Sequence, residues 1–405
     1  MTQPLVQRVR LQNFKSFERC DVKLSAMTVL VGRNGAGKSN FLDALEFTKD
    51  AVEKTLDFAV RERAGIDGIR RRSRMNRPTS AHIEIQIEIQ ISIPHGYAIY
   101  GFQLGDSKNS YNVRKEKCLI RTDNFEGSYR IERGEWTHWS FPDHPQPAAI
   151  EPDRLALQGL SGIPEIRPVY DAIVAMAFHN LNPDMMKNPV RPDTQRFLAG
   201  DGHNIPTIIE AIPEPEMSRI IEYLNRITGY NIQSIKRKAL GSFDTLQIEI
   251  QIADASRPWT FDAASLSDGT LRALGILASA STPINGDSKR VGPRLIAIEE
   301  PENAIHPAAA AVLADALVEA SQSRQILITT HSPDLIENSP VSPEDILVVV
   351  HNDGRSQIGK LSEAKMNLIR DHLSDPGELL RQDQMTPDPL DLQRQEQGKS
   401  LFDME

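Results

Sequence analysis

The sequence predicts an α/β fold: a mixed sheet with flanking helices, an antiparallel β layer beside it and an inserted helical lobe. Three observations carry this expectation. An apolar stretch, Met27 to Val31, runs directly into the glycine-rich string GRNGAGKS and then into a helical pattern from about Lys38. The strings HIEIQIEIQISI, ending at Ile93, and LQIEIQI, from Leu246 to Ile252, alternate apolar with polar residues, as half-buried antiparallel strands do. From Leu266 to about Val350, helical stretches alternate with apolar runs at Leu295 to Ile298, Ile326 to Thr329 and Ile346 to Val350, the rhythm of a parallel sheet.

In chain order, Val6 to Leu11 reads as a strand, Asn13 to Phe17 as a turn, and Met27 to Val31 as the strand before the glycine loop. From about Glu151 to Tyr230 the pattern turns helical, punctuated by Pro164, Pro168, Pro183, Pro189, Pro192, Pro206, Pro213 and Pro215, as in a lobe of short helices. The expected organisation is therefore a split core, residues 1–158 and 241–385, around an inserted helical lobe at 159–240. Residues 386–405 are polar and rich in Gln, Asp and Pro, and are expected to form a flexible tail.

Composition narrows the class. The chain has 405 residues, 40% hydrophobic and 25% charged, with no apolar run long enough to cross a bilayer. The start, MTQPLVQRVRLQNF, lacks a secretory h-region, and Cys20 and Cys118 are the only cysteines. A reducing cytoplasm and no membrane are expected. The net charge of -9 means that any contact with nucleic acid has to be local.

The chemistry starts with Gly32, Arg33, Asn34, Gly35, Ala36, Gly37, Lys38 and Ser39, followed by Asn40. Glycines let backbone amides curl around a β-phosphate, Lys38 reaches β/γ oxygens, and the Ser39 hydroxyl can ligate Mg²⁺. ATP and Mg²⁺ are the expected ligands. Downstream, Arg294-Leu-Ile-Ala-Ile-Glu299-Glu300-Pro301 is an apolar strand ending in two carboxylates. Glu299 is assigned to the metal and Glu300 to polarising the attacking water.

Leu266-Ser267-Asp268-Gly269-Thr270-Leu271-Arg272 opens a helix before that strand, and Thr329-Thr330-His331-Ser332 follows the next one. In this order the chain resembles the ABC-type P-loop ATPases. The resemblance implies that Ser267 and Gly269 form the signature that binds the ATP of another subunit, and that His331 senses the γ-phosphate. Asn13-Phe14-Lys15-Ser16-Phe17 looks like the opening of RecF, Rad50 and SMC-type heads. Glu299-Glu300-Pro301-Glu302-Asn303-Ala304-Ile305-His306-Pro307 and Asp201-Gly202-His203-Asn204 are similar to AAA-21-type ATPases of the overcoming-lysogenisation-defect (OLD) family. Two residues depart from the transporter pattern, Asp268 for Gly and Glu299 for Asp, and the resemblance implies both departures for this branch.

The same resemblance assigns Gln158 as the Q-loop glutamine, touching both ATP and metal; a plain surface glutamine is the alternative. It also implies a homodimer with composite ATP sites. The long arms of SMC and Rad50 proteins are absent, since the stretch between Gly159 and Leu266 is short, proline-rich and without heptads. No room follows His331 for the toprim nuclease of full-length OLD proteins, so a nuclease or toprim-like effector would be a separate protein.

Arg61, Arg63, Arg70, Arg71, Arg72, Arg74 and Arg77 form the one concentrated basic stretch. It reads either as a DNA-phosphate contact, centred on Arg70, Arg71, Arg72 and Arg74, or as a solvated loop. The function expected is an ATPase whose ATP-dependent dimerisation controls a DNA-engaged effector in genome defence or repair. The alternative is a nucleotide-dependent scaffold with little turnover that assembles or inhibits a partner nuclease or toxin.

Overall fold

The apolar runs of the sequence become the strands of one large sheet. The computed structural model describes residues 4–71, 85–107, 110–192, 195, 197–283, 292–337 and 339–403. Its strands are β1 (Val6–Phe14), β2 (Phe17–Lys23), β3 (Met27–Val31), β4 (Ile85–Ile93), β5 (Gly96–Ser107), β6 (Ser110–Thr122), β7 (Glu126–Glu132), β8 (Glu135–Trp139), β9 (Met176–His179), β10 (Ile232–Leu240), β11 (Phe243–Ile250), β12 (Trp259–Asp262), β13 (Leu295–Glu299), β14 (Gln325–Thr330), β15 (Ile346–Asn352) and β16 (Arg355–Lys360). Thirteen of them form a mixed sheet in the order β8-β7-β6-β5-β4-β1-β2-β16-β15-β3-β14-β13-β9.

The sheet has two characters. From β15 through β3, β14 and β13 to β9 every pairing is parallel, whereas β8 through β2 is an antiparallel meander. The two join at β16, antiparallel to β15 and parallel to β2 at the single pair Ser356 and Phe17.

Parallel strands are covered on both faces, which is why they read as unbroken apolar runs. Leu30, Leu295, Ala297 and Leu327 share one core with Phe41, Leu42 and Leu45 of the P-loop helix (Lys38–Glu53). Val29, Val31, Ile296, Ile298, Ile326 and Ile328 share the opposite core with the signature helix (Asp268–Ser281). The small sheet β10-β11-β12 belongs to that second core through Ile232, Ile235, Leu246, Ile248 and Ile250.

Three expectations need correction. The 159–240 stretch is not wholly a helical lobe: β9 inside it returns to the main sheet as the parallel neighbour of β13. Met176 to His179, three apolar or small residues and a histidine, is too short a run to stand out among the prolines. Strand β4 is buried on both faces rather than half-buried, because Gln86, Glu88 and Ser92 are covered as well as Ile87, Ile89 and Ile91. What contributes to that cover is the tail, so the expected flexible segment is docked structure. Residues Pro389–Gln397 form a helix capped by Asp388. Beyond it, Leu401 is fully buried, with its N–H donating to Glu88 Oε2 at 2.6 Å and its carbonyl accepting from Lys117 Nζ at 3.1 Å. Polar tail residues were read as solvated, yet they satisfy the polar face of a sheet.

No helix among the described residues is long and apolar enough to cross a membrane.

Candidate functional site

Parallel strands deliver their loops to one edge, and the conspicuous residues of the sequence gather there. Strand β3 ends at Val31 and hands over to Gly32; β13 ends at Glu299; β14 ends at Thr330, just before His331; β9 ends at His179.

The loop from Gly32 to Gly37 needs its glycines for close approach as well as conformation. Gly37 has φ +114, and a Cβ there would lie 2.3 Å from Ser356 Oγ of β16. The Ser356 hydroxyl donates to the Ala36 carbonyl at 2.6 Å and lies 2.8 Å from Ser16 Oγ, while Asn40 Nδ2 donates to Ser16 Oγ at 2.7 Å. The opening turn Asn13 to Phe17 thus braces the loop from below. Asn40 points to this brace, and the exposed Arg33 pairs with Asp383. Asn34, Gly35 and Ser39 are exposed.

Lys38 Nζ donates to the carbonyls of Gly32 (2.6 Å) and Arg33 (3.1 Å). Burial pulls its pKa down, partly opposed by the carboxylates of Glu300, Glu302 and Glu299. Ser39 Oγ donates to Glu299 Oε2 at 2.9 Å. Two cis ligands of an octahedral Mg²⁺ stand about 2.9 Å apart, given metal–oxygen bonds of about 2.05 Å, so this hydroxyl and carboxylate suit that ion. Among the described residues no cluster of three or more His, Cys, Asp or Glu could hold a metal. Burial raises the Glu299 pKa, opposed by the Ser39 hydrogen bond.

Glu300, one residue past β13, has φ +44, a left-handed conformation unusual for a non-glycine residue. Its N–H is held by the Thr329 carbonyl at 3.0 Å. The carboxylate is gripped at both oxygens: Asn303 Nδ2 donates to Oε2 at 2.8 Å, and His331 Nδ1 lies 3.1 Å from Oε1. Burial alone would raise its pKa, but these two contacts and the Lys38 charge bring it below the usual value. Beside it, Glu302 accepts from Thr330 Oγ1 at 2.6 Å, and burial raises its pKa.

Ser267 is the N-cap of the signature helix, its hydroxyl accepting from the Thr270 N–H at 3.2 Å. A Cβ at Gly269 would lie 2.3 Å from the Ala304 carbonyl, so the helix start is seated on the loop that follows Glu300. Arg272, buried one turn later, lies in the field of Glu300 and Glu302.

Two sequence assignments fail. Gln158 lies in a short helix (Ala156–Leu160), and its Nε2 donates to the carbonyls of Glu53 (3.4 Å) and Lys54 (3.0 Å). It caps the C-terminal end of the P-loop helix, and a helix of that length puts the phosphate loop about 20 Å away. A Q-loop role is ruled out by that distance. The residue just after β9, the neighbour of β13, is Asn180, which lines a cleft with Leu42, Glu46 and Glu299.

Three described arginines of the basic stretch, Arg63, Arg70 and Arg71, are likewise held in structure. Arg70 is buried and bridges to Phe14; Arg71 pairs with Glu18 at 3.0 Å. Arg63 pairs with Asp43 (2.6 Å) and Asp50 (3.1 Å) and lies over the Phe47 ring. Arg70 and Arg71 are therefore structural, while Arg72 and Arg74 lie outside the described residues. Sequence reasoning missed Ser16, Ser356, Asn303 and Thr330. Ser16, Asn303 and Thr330 sit inside strings that stand out in the sequence, whereas Ser356 carries no signal there.

Residues 5–130 match the family described as AAA ATPase domain, and residues 202–337 match the one described as AAA domain, putative AbiEii toxin, Type IV TA system. No functionally curated protein matches. Among solved structures, the chain is similar to an SMC head bound to the C-winged helix domain of ScpA, with 16% identity, TM-score 0.53, and 89% of this chain and 99% of that one covered. It is also similar to the SMC head domain with an extended coiled coil bound to the C-terminal domain of ScpA, from Pyrococcus furiosus, with 12% identity, TM-score 0.53, and coverage of 92% and 100%. Two separate stretches of the chain thus match ATPase domain models, and its fold is similar to that of SMC ATPase heads.

Proposed function

We propose that the chain hydrolyses ATP at a site shared between two copies arranged head to tail, and that closing and reopening of this dimer controls a separate effector. The observation that carries the reading is the grip on Glu300: a carboxylate at a strained turn, held by Asn303 and His331 and beside the Ser39 and Glu299 pair. A base for water needs a fixed lone pair and an ionised state at neutral pH, and both follow from these contacts.

In this reading the amides of Gly35 to Ser39 cradle the β-phosphate, Lys38 leaves its two carbonyls for the β/γ oxygens, and Glu300 orients the attacking water. His331 holds Glu300 until it registers the γ-phosphate. Ser39 and Glu299 would hold Mg²⁺, which neutralises phosphate charge. Ser267 and Gly269 would offer the helix N-terminus to the partner's nucleotide.

The effector is proposed to be a distinct protein, a nuclease or toprim-like chain acting on DNA in genome defence or repair. A protein partner is supported by the SMC heads of similar fold, which were solved with ScpA domains. The test mixes two inactive variants. Ser267→Arg blocks the signature face and Lys38→Ala disables nucleotide binding, so a mixed dimer keeps one intact composite site. Recovery of up to about half the wild-type turnover per site is expected. No recovery at any mixing ratio refutes sharing between subunits. A chain that dimerises with ATP but turns over none is the scaffold of the second reading.

A further inference from the structure

The signature carries an acid, Asp268, as the first residue of a helix that the proposed composite site would offer to a partner's γ-phosphate. An acidic side chain at a helix N-terminus favours the helix, but it occupies the positive potential an incoming anion needs. Asp268 does not stand alone. Lys187 Nζ donates to its Oδ1 at 2.5 Å, with 27% of the lysine side chain and 55% of the aspartate side chain exposed. Lys187 ends a short helix (Pro183–Lys187) that starts just beyond β9.

That helix is fixed against the signature helix by close packing. A Cβ on Gly275 would lie 2.8 Å from Leu181 Cδ1 and 3.1 Å from Met186 Cε, so the two segments pack closely at this glycine. Leu181 and Met186 are themselves buried. The position of the cation is thus set by the fold, and the residue opposite it is the one that departs from the glycine of the transporter pattern.

We propose that Lys187 is a positioning residue that neutralises Asp268, so that the signature helix of one copy can accept the γ-phosphate of ATP held by a second copy. This rests on the composite-site reading. An ammonium carries three donors, and Asp268 uses one, so the same group can also face the phosphate oxygens. Without it, a full negative charge would confront a polyphosphate across a few ångströms, enough to weaken closure roughly tenfold at moderate ionic strength.

The experiment uses full-length protein in the Glu300→Gln background, with ATP and Mg²⁺, and reads the dimerisation constant by sedimentation velocity. Lys187→Gln should weaken ATP-dependent dimerisation about tenfold, and Lys187→Arg should largely preserve it. Adding Asp268→Asn to Lys187→Gln should restore dimerisation, since a neutral amide needs no counter-ion. A merely structural lysine would not be rescued in this way, so loss without rescue overturns the proposal. Undiminished dimerisation of Lys187→Gln overturns it as well, and leaves the composite site standing. Failure of the Glu300→Gln chain with Lys187 intact to dimerise at all refutes the composite site itself, and the role of Lys187 with it.

Discussion

Glu300→Gln is the perturbation that best separates chemistry from binding. The substitution preserves shape and removes charge. In the wild-type geometry Asn303 Nδ2 donates to one carboxylate oxygen at 2.8 Å and His331 Nδ1 sits 3.1 Å from the other. A glutamine can keep the first bond by turning its carbonyl toward Asn303, which aims its amide at His331; the imidazole then has to accept through Nδ1. One orientation thus fits both neighbours, and the turn should survive. What is lost is the group whose pKa those neighbours hold below the usual value, ready to take a proton at neutral pH. Loss of a positioned base costs about 10²- to 10⁴-fold in rate, equivalent to about 3–5 kcal/mol of barrier. Single-turnover release of phosphate, with nucleotide affinity measured in parallel, reads both quantities. Turnover should fall by that factor while affinity for ATP stays within about threefold and a nucleotide-bound dimer accumulates. An unchanged single-turnover rate refutes the argument and shifts the role to Glu299.

Two further predictions concern the scaffold. Leu401→Ala removes a fully buried side chain from the docked tail and should cost about 2–4 kcal/mol in a urea titration; unchanged stability would return the tail to solvent. Glu116 is fully buried and accepts from Tyr100, Tyr129 and the N–H groups of Ala156 and Leu157. Burial raises its pKa from 4.5 to about 7 despite these bonds. The folded state therefore holds a proton that the unfolded chain has released, and stability should fall as pH rises from 4.5 to 7, by roughly 3 kcal/mol, and level off above. Denaturation midpoints against pH, compared with Glu116→Gln, check this; identical slopes for both proteins would refute it.

The sequence by itself determined the parts whose chemistry is local. A phosphate cradle must be contiguous, so Gly32 to Ser39 could be read letter by letter. Doubly covered parallel strands must be apolar throughout, so β3, β13, β14 and β15 were visible, and with them the edge where Glu299, Glu300 and His331 emerge. Tertiary structure alone decided what depends on which surfaces meet. Gln158 had the right place in the order of motifs, but the fold set it at the far end of the P-loop helix. Arg63 and Arg71 read as part of a solvated basic loop until the fold brings Asp43 and Asp50 against the first and Glu18 against the second. The polar tail looked like disorder because a hydrophobicity pattern registers apolar faces, whereas this segment docks by satisfying Glu88 and Lys117 on a polar one. Hydrogen bonds and ion pairs between remote segments leave no periodicity in the chain, so their partners can be named only after the strands have been laid side by side.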